Sequence, residues 1–442
     1  MTKLAWPIVL AELGWVVMGI VDTMVVGRLP ASADSIAAVS LGGILFYTLG
    51  IFGSGLLLGL DTLVSHSFGA REHEDGRRSL VNALYLTPPL GVALMGLLWG
   101  AQPLLELFGE RPEVMALTRP YLSALTWSTW PLLIYFALRR YLQAIDVVRP
   151  VMFALLSANL VNLGANIVLV FGNLGARPMG VTGSAWATVI SRIYMAAVLA
   201  FALWRVERRS PPWPLALNLR RMAELLKLGV PAGAQILLEA GVFAVAAVLI
   251  GKLDAASLAA HQIALNAAAF TYMVTLGIGS AGAVRVGQAL GRNDWHSAAI
   301  SGWTAVALGA SFMICAAVTF CTIPVPLTRV YTSDSGVIQI SISLLFVAGL
   351  FQVFDGCQAV LAGVLRGAGD THSAMYCHFA GYWLIGLPLG YWLCYSFHLG
   401  ARGIWYGFLG GLILIASILM WMWRRKVQSW MRSDVAVESL RY

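Results

Sequence analysis

Charged residues are scarce in this chain of 442 residues: Asp, Glu, Lys and Arg together make up 11%, against 59% hydrophobic residues. An ordinary globular domain carries roughly a quarter charged residues. The composition therefore excludes a soluble globular protein. Apolar stretches of about 20 residues, enough for a helix to cross a hydrocarbon layer about 30 Å thick, instead predict a polytopic membrane protein.

Cysteine is also rare, and the five cysteines lie in or at the edge of apolar stretches without the spacing of metal ligands. The sequence lacks catalytic signatures such as HExxH, GxSxG or a glycine-rich phosphate loop. The cysteines are therefore interpreted as small packing residues, and an intramembrane enzyme is not expected. We expect no catalytic activity and no cofactor apart from a coupling ion.

Acidic residues are fewer than basic ones, so the formal net charge is +8. Most Lys and Arg fall in the segments that face the cytoplasm if the N-terminus is cytoplasmic. This bias predicts a multi-pass protein of the inner (cell) membrane with both termini in the cytoplasm. Contact of these segments with anionic lipid explains the net charge, so the charge gives no support to a nucleic-acid partner.

Twelve apolar windows predict an all-α membrane protein with twelve transmembrane helices. The first half supplies six windows, at about residues 4–27, 37–67, 79–101, 120–142, 150–171 and 181–204. The second half supplies six more, at about residues 229–251, 259–290, 298–321, 340–365, 373–394 and 403–423. Several windows contain Gly and Pro, which predicts bent helices within a bundle.

The chain repeats itself at half its length. Pro7 recurs as Pro231, 224 residues on, and Gly69 recurs as Gly291, 222 residues on. Duplication of an even number of spans predicts two parallel six-helix lobes related by a pseudo-twofold axis along the membrane normal. Two lobes on a loose linker are expected to rock and expose a central site to each side in turn. The predicted parts are an N-terminal lobe (1–204), a cytoplasmic linker (205–228), a C-terminal lobe (229–423) and a basic cytoplasmic tail (424–442).

Three carboxylates lie away from the ends of the predicted spans: Asp22, Glu239 and Asp355. An ionised carboxylate in hydrocarbon costs about 2.5–3.5 kcal/mol on insertion scales, so each should face a wet cavity, a partner or a cation. None of the three is duplicated in the other half, unlike the packing residues. We therefore predict an asymmetric arrangement, with Glu239 and Asp355 paired in the second lobe and Asp22 as a separate acid in the first.

A carboxylate pair in an apolar cleft suits two coupling ions. Desolvation and a neighbouring acid both favour a bound proton. Alternatively, Glu239 and Asp355 supply hard oxygen ligands to Na⁺, assisted by amide oxygens of residues such as Gln262 or Asn266. An organic cation held by the same acids would be displaced when Na⁺ or H⁺ arrives, which gives exchange. The sequence leaves the choice between Na⁺ and H⁺ open.

Other polar and aromatic residues are secondary candidates. Arg192 is the only base expected to be buried, and one cation cannot neutralise three acids. Asp61 is expected to fix helix packing or an inner gate. For the asparagines of the fifth span, helix–helix hydrogen bonding is an equal alternative to lining a cavity. The possible cavity-lining residues are Asn162, Asn166, Gln262, Asn266, Glu12 and, through cation–π contact, Tyr47.

Five stretches of the sequence resemble the multidrug and toxic compound extrusion (MATE) family, and within it the NorM type. They are VDTMVVGR, GLDTLVSHSFGA, PAGAQILLEAGVFAVAAVLI, AAHQIALN and FDGCQAVLAGVLRGAGDT. The resemblance implies a twelve-helix, two-lobe fold and cation-coupled efflux of amphipathic organic cations such as dyes, fluoroquinolones and antiseptics, and thus antibiotic resistance. It also implies functional acids at Asp22, Glu239 and Asp355. We expect a monomer.

The sequence departs from part of this family at Asn166. Archaeal-type and related members carry an aspartate near this position, so a proton switch built on two first-lobe aspartates is not expected here. A second candidate function, in the same superfamily, is a flippase of lipid-linked precursors. Such a protein would be expected to carry buried Lys or Arg in its central cavity, whereas the cavity candidates here are acids.

Overall fold

The computed structural model describes residues 1–103 and 111–439, and within these ranges the chain is helical and has no β-strand. This confirms the predicted all-α fold. The last residues of the predicted tail, 440–442, lie outside the described ranges.

The helices of the first half are α1 (Thr2–Val26), α2 (Ser32–Leu56), α3 (Gly59–Gly69), α4 (His73–Ala101), α5 (Pro112–Thr126), α6 (Thr129–Ala144), α7 (Arg149–Phe171) and α8 (Val181–Glu207), with a 3₁₀ turn at Asn173–Gly175. Those of the second half are α9 (Leu219–Gly251), α10 (Ala255–Gly291), α11 (Trp295–Thr322), α12 (Pro324–Arg329), α13 (Ser335–Gly367), α14 (His372–His378), a π-helix (Phe379–Gly386), α15 (Leu387–Tyr395) and α16 (Ala401–Ser439).

Ten helical segments are long and apolar enough to cross a membrane, counted over the described residues. One of them, Ser32–Gly69, joins α2 and α3. The other two predicted spans, 120–142 and 373–394, coincide with interrupted helices. The first is divided between α5 and α6, and the second passes through α14, the π-helix and α15.

Proline explains both interruptions. Pro131 lies just inside α6 and has no backbone N–H to donate to the carbonyl four residues earlier, so the helix of the fourth span breaks beside it. Pro388 has the same effect at the start of α15, directly after the π-helix. A π-helix closes wider turns than an α-helix, and such turns frequently occur at functional sites.

Contacts between residues divide the chain into two compact units. The C-terminal unit comprises Met1–Val9, Ser65–Arg71 and the chain from Val230 onward, and the N-terminal unit comprises Leu10–Val64 and Glu72–Gly229. Two short segments of the predicted first lobe therefore belong to the C-terminal unit.

In the C-terminal unit, α13 packs backbone to backbone against α10. A Cβ atom added to Gly363 would lie 2.5 Å from the carbonyl oxygen of Gly279, and one added to Gly367 would lie 2.3 Å from that of Ala283. Only glycine allows helices to approach this closely. The contact fixes the position of α13, which carries Asp355.

An aromatic cluster holds four elements of the C-terminal unit together. The ring of Phe243 on α9 lies 6.3 Å from Phe351 on α13, 6.0 Å from Tyr382 in the π-helix and 5.0 Å from Phe408 on α16. All three pairs meet edge to face, the geometry that aromatic quadrupoles favour. The cluster therefore fixes α9 relative to α13 and the π-helix.

In the N-terminal unit, the predicted linker is bonded to α4. Its non-helical part is residues 208–218. The hydroxyl of Tyr85 donates to Leu215 O at 3.0 Å, and the amide N–H of Asn218 donates to Asn82 Oδ1 at 2.7 Å. The linker is thus a bonded part of the N-terminal unit rather than a loose connection.

Candidate functional site

Two carboxylates meet inside the C-terminal unit. Glu239 on α9 is 8% exposed and Asp355 on α13 is 3% exposed. The amide nitrogen of Gln358, one turn after Asp355, donates to Glu239 Oε1 and to Asp355 Oδ1, each at 3.2 Å. The two accepting oxygens are therefore no further apart than twice that distance. The structure brings together the two acids that the sequence analysis predicted as a pair.

Hydroxyl and imidazole groups complete the surroundings of Glu239. The hydroxyl of Tyr272 on α10 donates to Oε2 at 3.3 Å, and Nε2 of His378 lies 3.9 Å from the same oxygen. Among the residues that the structure describes, neither Glu239 nor Asp355 lies within ion-pair distance of a Lys or Arg. A buried acid pair of this kind is suited to bind a proton or a cation.

His378 is held at both ring nitrogens. Nδ1 lies 2.7 Å from Ala374 O, and Nε2 lies 2.6 Å from Gln358 Oε1. His378 is the last residue of α14, and in the π-helix that follows the indole N–H of Trp383 donates to Leu238 O at 3.0 Å. The π-helix is thereby attached to α9 one residue before Glu239, and His378 is kept beside the acids.

The first-lobe acid, Asp22 on α1, is buried and held by uncharged donors. Asn166 on α7 donates from Nδ2 to Asp22 Oδ1 at 2.8 Å, and the hydroxyl of Thr188 on α8 donates to Oδ2 at 3.0 Å. Asn166 Nδ2 also lies 3.2 Å from Asn162 Oδ1. Of the two alternatives for Asn166, the structure therefore shows helix–helix hydrogen bonding.

Arg192 on α8 is buried against aromatic rings of the N-terminal unit. Its guanidinium carbon lies 4.6 Å from the ring centroid of Phe46 and 5.8 Å from that of Trp15, and it donates a hydrogen bond to Ser128 Oγ. Tyr47 is half-buried and packs edge to face on Phe46 at 6.1 Å. Tyr47, the predicted cation–π contact for an organic cation, therefore lies next to the ring of Phe46, which already contacts the guanidinium group of Arg192.

Two further acids of the N-terminal unit are paired with arginines of α6. Glu12 forms an ion pair with Arg139, and Arg140 Nη1 lies 3.4 Å from Asp61 Oδ2. All four side chains are buried. The prediction that Arg192 is the only buried base is therefore wrong, because ion pairing offsets the desolvation of these arginines inside the unit. Glu12 is held in an ion pair rather than presented to a cavity.

A family model for MatE matches the chain twice, at residues 7–168 and at residues 231–392. The chain belongs to the MatE family. The two matches begin 224 residues apart, which is the spacing between Pro7 and Pro231. Each half of this MATE protein is therefore one copy of the family's repeat.

Relatives of similar length carry the NorM name. The "probable multidrug resistance protein NorM" of Mesorhizobium japonicum is 36% identical over 440 residues, which cover 96% of this chain and 92% of the relative. The protein of the same name from Geobacillus kaustophilus is 33% identical over 429 residues, covering 95% of this chain and 94% of the relative.

Solved MATE structures share the fold. The eukaryotic MATE transporter AtDTX14 superposes with a TM-score of 0.86 at 21% identity, covering 98% of this chain and 97% of that one. A MATE structure in the bent conformation gives a TM-score of 0.87 at 18% identity, covering 98% and 96%. This MATE protein is therefore a multi-pass membrane transporter by family and fold.

Three residues at the acid pair of this MATE protein are missing from the sequence analysis: Tyr272, Gln358 and His378. Gln358 follows Asp355 by three residues, a spacing that puts both on one helix face, and this signal was available. Nothing in the sequence indicates that His378 contacts α13, because that contact depends on how the eleventh predicted span packs.

The two amides predicted to assist Na⁺ lie elsewhere. Gln262 and Asn266 have exposed side chains on α10. Within residues 1–103 and 111–439, neither forms a hydrogen bond with Glu239 or Asp355. The amide that contacts both acids is that of Gln358.

Proposed function

We propose that this MATE protein is a multidrug efflux transporter that exchanges Na⁺ and/or H⁺ for amphipathic organic cations by alternating access. The observation that carries the proposal is the buried pair Glu239 and Asp355, which share one amide donor and have no Lys or Arg ion pair among the described residues. A bound cation or proton supplies the positive charge that the pair lacks. An organic cation competes for the same negative charge, so the ion and the drug occupy the site in turn.

Asp22 is the separate acid of this proposal. Its partners are an amide and a hydroxyl, which stabilise a carboxylate without neutralising it. A positively charged ligand can therefore gain from Asp22, whereas Glu12 and Asp61 already have arginine partners. We assign Asp22 to contact with the substrate or the coupling ion in the first lobe.

The proposal includes the membrane location, the topology and the oligomeric state of the protein. Basic residues gather in the segments assigned to the cytoplasmic side, which supports a cytoplasmic location for both termini. The bacterial relatives named NorM support an inner-membrane location and a drug substrate. We further propose that the transporter acts as a monomer.

A flippase of lipid-linked precursors is the alternative. One observation favours it: in the described ranges Arg192 is buried without a carboxylate at ion-pair distance, as an anion-binding group would be. The second lobe opposes it, because its buried site is acidic. Binding of a lipid-linked precursor without export of any organic cation would favour the flippase.

Transport by purified protein in liposomes tests the proposed function. Efflux of a fluorescent cationic dye is measured under an imposed Na⁺ gradient and, separately, under an imposed pH gradient. Glu239→Gln and Asp355→Asn each keep the size of the side chain and remove its charge, and we expect transport to fall about tenfold or more, the usual effect of losing a contact with a charged group. Asp294→Asn, at the loop acid that begins α11, serves as the matched control and should transport normally. Wild-type transport by both neutral variants under either gradient would refute the site assignment.

A further inference from the structure

Gln358 links the acid pair to the histidine beside it. The side chain is fully buried. Its amide nitrogen contacts Glu239 and Asp355 at 3.2 Å, and its amide oxygen lies 2.6 Å from His378 Nε2. Both ends of the amide are thus engaged, and its orientation is set by these three partners.

A side-chain amide has two orientations that fill the same space and exchange donor and acceptor. In the orientation that the structure shows, the NH₂ group faces two carboxylate acceptors. A half-turn directs the oxygen of Gln358 to the acids and its nitrogen to the ring of His378. The imidazole serves the two orientations in different protonation states. With Nδ1 donating to Ala374 O, Nε2 donates to the amide oxygen only in the protonated ring and accepts from the amide N–H in the neutral ring.

The second orientation adds an oxygen ligand to the acid pair. Hard cations are bound by carboxylate, carbonyl and hydroxyl oxygens, which replace their hydration shell. With Gln358 turned, oxygens of Glu239, Asp355, Gln358 and the hydroxyl of Tyr272 come from three helices, α9, α13 and α10. A proton is held by a single carboxyl oxygen and gains at most one hydrogen bond from this turn, whereas Na⁺ gains a coordinating ligand.

The geometry points to Gln358 as a specificity-determining residue that favours Na⁺. Its nitrogen bridges the two carboxylates in one orientation, and its oxygen joins them as a Na⁺ ligand in the other. His378, anchored at Ala374 O, is the positioning residue that holds the amide in both. This inference rests on the proposed cation site and goes beyond it by naming the ion and the group that selects it.

Stabilisation of the purified protein by Na⁺ tests the inference, with K⁺ keeping the ionic strength constant. The Na⁺ concentration giving half of the thermal shift is expected to rise about tenfold in Gln358→Leu, which keeps the volume and removes the oxygen ligand. Gln358→Glu restores oxygen ligands and should remain close to wild type. His378→Leu should resemble Gln358→Leu, and the double variant should be no worse than either single one, since both residues act through one amide.

The matched control is Gln352→Leu. Gln352 is also buried on α13, and its amide donates to Thr271 Oγ1 at 2.6 Å rather than to the acids. Its half-saturating Na⁺ concentration should stay at the wild-type value. In liposomes, Gln358→Leu should weaken dye transport driven by Na⁺ more than transport driven by a pH gradient.

Several results would overturn the inference. They are a wild-type protein without a Na⁺-dependent shift, a Gln358→Leu variant with wild-type Na⁺ dependence, equal effects of Gln352→Leu and Gln358→Leu, and equal loss of Na⁺-driven and pH-driven transport. The proposed function fails separately, when the wild-type protein exports no organic cation under either gradient. Because the thermal shift requires no drug, the two failures are distinguishable.

Discussion

The acid pair of the C-terminal unit differs from two buried acids of the N-terminal unit, whereas Asp22 of the N-terminal unit also has uncharged partners. In the N-terminal unit, Glu12 and Asp61 each pair with an arginine of α6. In the C-terminal unit, Glu239 and Asp355 share the amide donor of Gln358, and Glu239 also contacts Tyr272 and His378. Because an acid with a permanent base has no net charge left to offer, the difference separates acids that stabilise the fold from acids that can bind a transported ion.

The two copies of the repeat differ at the positions of the arginines that pair with Glu12 and Asp61. At a spacing of 223 residues, Arg139 and Arg140 correspond to Ala362 and Gly363. The first pair reaches into the N-terminal unit as ion-pair partners, whereas Gly363 lets α13 lie directly on the backbone of α10. One position of the duplicated helix therefore supplies charge in one copy and close packing in the other.

The largest effect is expected from removing an ion pair of the N-terminal unit. Arg139→Met leaves Glu12 as an unpaired buried carboxylate, which typically costs about 3–5 kcal/mol of stability. Unfolding of the protein in detergent, followed by heat or denaturant, measures the loss. The double variant Arg139→Met with Glu12→Met should recover most of it, because no charge remains buried. Equal stability of Arg139→Met and wild type would contradict a structural ion pair.

A smaller effect, on stabilisation by Na⁺, is expected to distinguish Glu239 from Asp22, the buried acid of the N-terminal unit that has no arginine partner among the described residues. Na⁺ at about a hundred times its dissociation constant should stabilise the wild-type protein by about 2.7 kcal/mol through binding linkage. Glu239→Gln should abolish this shift. Asp22→Asn should retain it, because Asp22 lies in the other unit and its hydrogen bonds with Asn166 and Thr188 can persist in the variant. Loss of the shift in Asp22→Asn would place the Na⁺ site outside the C-terminal unit.

The smallest effect concerns a helix cap present in one half only. Asp254 accepts a hydrogen bond from the backbone N–H of Ser257 at 2.6 Å and so caps α10, whereas the equivalent residue of the first half, Ala31, makes no side-chain cap. Loss of such a cap in Asp254→Ala should cost about 1 kcal/mol near neutral pH.

The same cap gives a pH dependence. Hydrogen bonds from the backbone N–H and the hydroxyl of Ser257 lower the pKa of Asp254 below its ordinary value of 3.8. Because the folded-state pKa lies below the unfolded one, the carboxylate stabilises the fold fully above 3.8, and this contribution is lost as the pH falls through the folded pKa. The stability difference between wild type and Asp254→Ala should therefore shrink at acidic pH. A difference that grows on acidification would contradict the cap.

The sequence was informative where the signal is local or periodic. Apolar length indicates the spans, the spacing of Pro7 and Pro231 indicates the duplication, and the cost of a charge in hydrocarbon singles out Glu239 and Asp355. These inferences need no knowledge of which helices touch. The structure accordingly agrees with the predicted all-α fold and with the predicted proximity of Glu239 and Asp355.

Features that depend on distant contacts were not predicted. Arg139 and Arg140 read as residues of a cytoplasmic segment, because a hydropathy window counts their charge and cannot see Glu12 or Asp61. His378 reads as an isolated polar residue until the π-helix brings its span against α13. Whether a buried polar or charged side chain is stabilised depends on its partners on other helices. Those partners cannot be identified from the neighbouring residues in the sequence.

Two prolines at the same position of the repeat have a mechanical consequence. The chain crosses between the two units inside long helices, at Val9–Leu10 in α1 and at Gly229–Val230 in α9. Pro7 or Pro231 lies within three residues of each crossing, and each removes one rung of the helical hydrogen-bond ladder. These helices are therefore most compliant where they leave one unit for the other. Bending at Pro231 would leave the spacing of Glu239 and Asp355 undisturbed, because both acids lie within the C-terminal unit.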